Sequence, residues 1–167
     1  MNMLTRLEKT LYRLEAQHAC LHWAFEQIAE REGIVFEIGL GLGRTFNHMR
    51  HHLGKREIYA FERVINAYPD CMPDEEHLIL GEIEETLPAA SARFRGQVVL
   101  GHSDVGSFDK DNNRMMAGLI SKHLPAALAP GAIVMSDLPL EMPGCTALAL
   151  PPGAREDRYY LYRNDGL

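Results

Sequence analysis

A run of alternate glycines, Glu37-Ile38-Gly39-Leu40-Gly41-Leu42-Gly43-Arg44-Thr45, constrains this chain more than any other feature. It follows residues 34–38, a β-branched run that reads as a strand, and it precedes 44–53, which reads as a short helix closed by Gly54. Glycines between a strand and a helix let the backbone turn tightly and let a ligand approach without meeting a Cβ. The rest of the chain has the alternation to which such a turn belongs. Residues 57–61, 78–80, 97–101 and 132–135 read as strands, and 113–128 as a helix ended by Pro130-Gly131. This pattern predicts an α/β fold with a mostly parallel sheet, whose strand C-terminal ends share one edge. The tail is different: residues 146–150 and 158–162 read as strands joined through Pro151-Pro152-Gly153. With no room for a crossover helix, they should pair antiparallel.

Ahead of the first strand, Leu4, Leu7, Leu11, Leu14, His18, Leu21, Phe25 and Ile28 recur at spacings of three and four. They fall on one stripe of a helix, within a helical segment expected over 1–32 and stopped by Gly33. His18 is its one polar member and reads as a core histidine. The stripe is longer than one small sheet can cover, so a homo-oligomer through this helix is expected, most simply a two-fold dimer. At 167 residues the chain is long enough for one domain, 1–167, and too short for two full ones.

The glycine loop departs from the dinucleotide fingerprint G-x-G-x-x-G, because its third glycine comes one position early and Arg44 stands where a small residue belongs. An acid, Glu37, precedes the first glycine by two. This acid-x-G-x-G-x-G order resembles motif I of the class I, Rossmann-like methyltransferases that use S-adenosylmethionine. The resemblance implies that Glu37 orients the methionine end of the cofactor and that Gly39, Gly41 and Gly43 cradle it. It implies that Glu62, at the end of the second strand, accepts from the ribose hydroxyls. Glu82 and Ile83 would then take the adenine, by its amino group and its ring. The passage over 128–134 also resembles the family's helix–Pro-Gly–strand segment, so the likeness runs from about 34 to 137 and into the terminal hairpin.

Methyl transfer requires an aligned acceptor and, where necessary, removal of its proton. The fourth strand ends in Gly101-His102-Ser103-Asp104, a position from which the family supplies acceptor contacts or a base. His102 and Asp104 are therefore the candidate catalytic residues, with His102 either a base or a wall of the adenine pocket. No Asn-Pro-Pro-Tyr, Asp-Pro-Pro-Tyr or Pro-Cys motif names the acceptor. Asp109, Asp111, Asn112 and Asp137 faintly resemble the acids of the metal-dependent catechol-type enzymes, but their spacing is imperfect and no metal is expected. His48, His51 and His52 share one helix face and read as solvated. Trp23 reads as packing on the sheet.

Net charge is −6 and no basic run is present, so nucleic acid is not the expected partner and a small-molecule acceptor is. The three cysteines form neither a disulfide framework nor a zinc pattern. No signal-like or membrane-spanning apolar run occurs, so a cytoplasmic, membrane-free protein is expected. Two other readings fit the loop less well: a non-catalytic module binding S-adenosylmethionine or S-adenosylhomocysteine, and an NAD-linked oxidoreductase.

Overall fold

The computed structural model describes residues 3–166; the outermost positions of the expected 1–167 domain lie outside the described residues. Helix α1 (Arg6–Ile28) leads into strand β1 (Ile34–Ile38), α2 (Arg44–Leu53), β2 (Ile58–Glu62) and β3 (Leu78–Leu80). Then come α3 (Ile83–Arg93), β4 (Val98–Ser103), α4 (Lys110–His123), β5 (Leu128–Ser136), β6 (Cys145–Leu148) and β7 (Tyr160–Asn164). The strands form one sheet in the order β3-β2-β1-β4-β5-β7-β6. The first five are parallel, and β7 lies antiparallel to both β5 and β6. The alternating pattern and the antiparallel tail are both as expected.

Because strand side chains alternate between faces, the sheet has two cores. Val35, Ile58, Ala60, Val99 and Met135 pack with α1 and α2 on one side. Phe36, Ile38, Phe61, Val98 and Val134 pack with α3 and α4 on the other. Both faces are thus covered, as a parallel sheet requires.

Helix α1 starts at a capping box, in which Thr5 Oγ1 accepts from the Glu8 amide and the Glu8 carboxylate accepts from the Thr5 amide. Its stripe is only half used. Leu21, Phe25 and Ile28 are buried, whereas Leu7, Leu11 and Leu14 are 78%, 47% and 40% exposed. His18 is exposed too, so it is no core histidine. Nor does Gly33 stop the helix, which ends at Ile28. Gly33 is required because a Cβ there would lie 2.4 Å from a Val99 methyl.

Two further differences have local causes. Helix α3 has no counterpart in the sequence reading, because Pro88 lies inside it and removes one intrahelical hydrogen bond; burial of Leu87, Ala90 and Phe94 holds the helix regardless. Helix α4 ends at His123 and not near 128, since Pro125 opens a 3₁₀ turn over Leu124–Ala127. Pro130-Gly131 therefore lies within β5, where the register with β4 slips and the Arg31 guanidinium donates to both carbonyls.

Candidate functional site

The crossovers from β1 and β4 run to opposite sides of their shared position, and ligands in open α/β sheets bind outside the strand C-termini at such a switch. Five strand ends meet there: Gly39 after β1, Glu62 at the end of β2, Gly81 after β3, Asp104 after β4 and Asp137 after β5. The three loop glycines all have positive φ (93°, 53° and 81°), a region that favours glycine. Their surroundings differ. A Cβ on Gly43 would sit 2.4 Å from the Cys71 carbonyl oxygen, and one on Gly39 2.7 Å from that of Asp104, so the fold itself excludes them. Among the described residues, a Cβ on Gly41 would meet no atom within 4 Å. Packing does not keep that position bare.

Gly41 opens onto a cavity of about 350 Å³ that runs past Glu62, Gly81, Glu82 and Ile83 to Met115 and Met116 on α4. Glu62 is built into the loop: one carboxylate oxygen accepts from the Gly41 amide at 2.8 Å and the other from the Arg63 amide at 2.7 Å. Glu82 precedes α3 as its exposed N-cap, 4.0 Å from Arg63. A second cavity, of about 710 Å³, lies between α1 and the loop, reached by Arg13, Gln17, His18, Arg44 and His48. The two cavities share Gly39, Gly41 and Asp104.

Beneath the loop runs a buried chain of polar groups. Glu37 and His102 are register neighbours on β1 and β4, and His102 Nδ1 lies 2.8 Å from Glu37 Oε1. His102 Nε2 is 3.1 Å from the Tyr159 hydroxyl, which accepts from Gln17 Nε2 at 2.7 Å. Gln17 also donates to Asp104 Oδ2 at 3.0 Å, and Arg13 reaches the same oxygen at 3.5 Å. His102 can donate from Nδ1 to the Glu37 carboxylate while its Nε2 meets the Tyr159 hydroxyl. Burial pushes the Glu37 carboxyl up. Burial alone would push His102 down, but the Glu37 carboxylate outweighs it and the net shift is upward. Both shifts keep one proton between the two groups.

The surroundings of His102 and Asp104 differ. The side chain is fully buried, both ring nitrogens are engaged, and it lines neither cavity. Asp104, by contrast, is partly exposed at the junction of the cavities. Behind it, Asp137 accepts from the Val105 and Gly106 amides at 3.2 and 2.8 Å. Burial, then the charge of Asp104, push Asp137 up to about 6.

Asp109 and Asp111 do not join Asp137: Asp109 caps α4 and Asp111 pairs with Arg114 on the surface. Trp23 packs against the α1 core, away from both cavities. Gln17 and Tyr159, which sequence reading missed, are 142 residues apart, and no local pattern links them. The solvated reading of His48 also fails. It is half-buried beside His18, His22 and His52, and burial together with these rings lowers it to about 4.

A family profile described as S-adenosyl-L-methionine methyltransferase matches residues 4–164. The crystal structure of an S-adenosyl-L-methionine methyl transferase from Silicibacter pomeroyi is 42% identical with a TM-score of 0.93, over 97% of this chain and 99% of that one. TrmN from Thermus thermophilus superposes with a TM-score of 0.56 at 12% identity, over 86% of this chain and 47% of that one. A 16S rRNA (adenine(1408)-N(1))-methyltransferase from Catenulisporales acidiphilia gives 0.50 at 14% identity, over 97% and 93%. These last two share the fold alone. No curated protein matches the sequence. With its Rossmann-like sheet, open glycine cradle and near full-length match, the chain belongs to the S-adenosyl-L-methionine methyltransferase family and is an enzyme that takes its methyl group from S-adenosylmethionine.

Proposed function

We propose that the enzyme methylates a small molecule bound in the cavity between α1 and the glycine loop. The observation that carries this reading is the junction: the adenosyl-side cavity and the α1-side cavity meet at Gly39, Gly41 and the carboxylate of Asp104. S-adenosylmethionine supplies a methyl group on a sulfonium, already a good leaving group. The chain must therefore hold donor and acceptor in line and take up a proton where the acceptor carries one. A concave volume of about 710 Å³ lies within the range of small-molecule sites, and a net charge of −6 opposes a polyphosphate partner.

In this reading Glu62 keeps lone pairs for the ribose hydroxyls beyond the two amides it already accepts from. Ile83 packs on the adenine and Glu82 stands at its amino edge. Gly39, Gly41 and Gly43 follow the methionine end. Glu37 has a buried oxygen, Oε2, with no partner among the described residues, which suits a cation reached through one ordered water. Asp104 is the catalytic candidate, and His102 holds Glu37 and Tyr159 in place. A non-catalytic binding module fits less well, since such a module has no use for a carboxylate between two joined cavities.

Release of S-adenosylhomocysteine, measured against panels of small hydroxyl, amine and thiol acceptors and against RNA, tests the proposal. Turnover should occur with a small acceptor. Gly41→Val should abolish cofactor binding in calorimetry while the protein stays folded, because its side chain enters the ligand path. Turnover on RNA alone would overturn the acceptor class.

We further read residues 1–167 as one cofactor-binding domain that self-associates through the exposed face of Leu7, Leu11 and Leu14. Light scattering should give two copies for the native chain and one for Leu7→Arg/Leu11→Arg. A native monomer at micromolar concentration would refute it. No described helix is long and apolar enough to cross a membrane, and the free thiols of Cys20, Cys71 and Cys145 fit a reducing, cytoplasmic setting.

A further inference from the structure

Two His-x-x-x-His pairs, His18/His22 on α1 and His48/His52 on α2, face each other across the packed helices. Ring centroids lie 4.4 Å apart within each pair, and His22 is 5.1 Å from His48 and 4.8 Å from His52. Residues four apart on a helix present their side chains on one face, one turn above the other, so each pair is a ready two-point chelate. Among the described residues, His18, His22 and His48 form the group whose ligand atoms all fall within 4.8 Å of one another. His22 Nε2 and His48 Nε2 are 3.0 Å apart.

We propose that His18, His22 and His48 bind one divalent transition metal ion of the zinc type, clamping α1 to α2 at the outer rim of the α1-side cavity. Zinc bonds of about 2.0–2.1 Å at tetrahedral angles place ligand nitrogens about 3.4 Å apart, close to the separation of His22 and His48. Imidazole suits zinc, copper and nickel and does not suit magnesium or calcium. Two imidazole nitrogens this close need a proton or a cation between them, because facing lone pairs repel. A proton can bridge only one pair of nitrogens; an ion satisfies all three. Phe25 lies against the rings of His22, His48 and His52, giving the site an apolar wall, and such a shell limits the access of water.

His18 and His48 also line the larger cavity. An ion held by three protein nitrogens keeps a fourth tetrahedral position for water, in the manner of an open zinc site. The proposal does not depend on the identity of the acceptor or on turnover, since metal binding can be read on the resting protein.

The test uses the full chain freed of any histidine tag. Calorimetry with Zn²⁺ and visible absorption with Co²⁺ should each show one ion per chain, Co²⁺ with the intense bands of a four-coordinate site. His22→Ala and His48→Ala should each weaken binding at least about 100-fold, beyond the usual 10–100-fold for a group that only supports a ligand. His51→Ala, an exposed histidine on the same helix, should bind as the native chain does. Zn²⁺ should raise the thermal midpoint of the native and His51→Ala proteins and not that of the other two. Absence of binding at micromolar Zn²⁺, or binding that survives His22→Ala together with His48→Ala, would overturn the assignment. S-adenosylmethionine binding by the same variants, which do not contact the adenosyl-side cavity, reports separately on the cofactor site.

Discussion

Asp104→Asn should lower kcat by about two to four orders of magnitude, the range lost with a general base, and change S-adenosylmethionine affinity by less than about tenfold. Asp104 is the side-chain carboxylate common to both cavities, so it stands where the methyl group and the acceptor atom must meet. Its Oδ2 is fixed by Gln17 and Arg13, which orients the group without using all of its lone pairs. Asparagine keeps the shape and loses the basicity. The pH profile carries a second signature. Asp137, pushed up to about 6 by burial and then by the charge of Asp104, couples to it. Asp137 carries a proton below that value, and turnover should rise as the pH passes through about 6 and the proton leaves. In Asp104→Asn the charge that holds Asp137 up is gone, so any residual activity should show its acid limb displaced to lower pH. Steady-state rates between about pH 5 and 8 check both statements. An unchanged kcat, or an unmoved limb, would remove Asp104 from the chemistry.

The parts of this site that were legible in the sequence are those encoded by neighbours along the chain. Gly39, Gly41 and Gly43 mark a strand-to-helix turn, and the alternation of strands and helices places Glu62 and Asp104 at the same sheet edge. What was not legible depends on contacts across the fold. The spacing of α1 fixes which residues share a face, but it does not say which part of that face the fold covers. His18 is left exposed and meets His48, 30 positions later. Local signals also misled where a proline could act in more than one way. Pro88 is carried inside α3 because Leu87 and Ala90 bury their side chains on either side of it. Pro130 reads as a terminator but lies in a strand, where the register with β4 slips and Arg31 donates to the carbonyls of Pro130 and Gly131. The burial of His102 was hidden for a third reason. A position at a strand end predicts an exposed side chain, yet Tyr159 from the terminal hairpin and Gln17 from α1 close over it.

That closure leads to the largest stability effect expected in the protein. His102→Ala should cost about 3–5 kcal/mol, because removing one member of a buried ionisable pair leaves the other without compensation. Glu37 would lose the partner of Oε1 while Oε2 already lacks one. Urea unfolding at neutral pH measures the loss through the transition midpoint. The pH dependence separates the pair from simple packing. With Glu37 present, folded His102 holds its proton more tightly than an ordinary imidazole. The native chain then binds more protons than the unfolded one above about pH 6.5, and stability falls as pH rises past that value. Glu37→Gln keeps an oxygen in reach of the Nδ1 proton and removes the charge. The two leading upward influences on His102 are then gone, and burial is opposed only by the charges of Asp104 and Asp137. The fall in stability as pH rises past about 6.5 should therefore shrink or reverse. If His102→Ala leaves the urea midpoint in place, the buried chain does not hold the site together. If Glu37→Gln keeps the native slope, the proton shared by Glu37 and His102 is not what sets it.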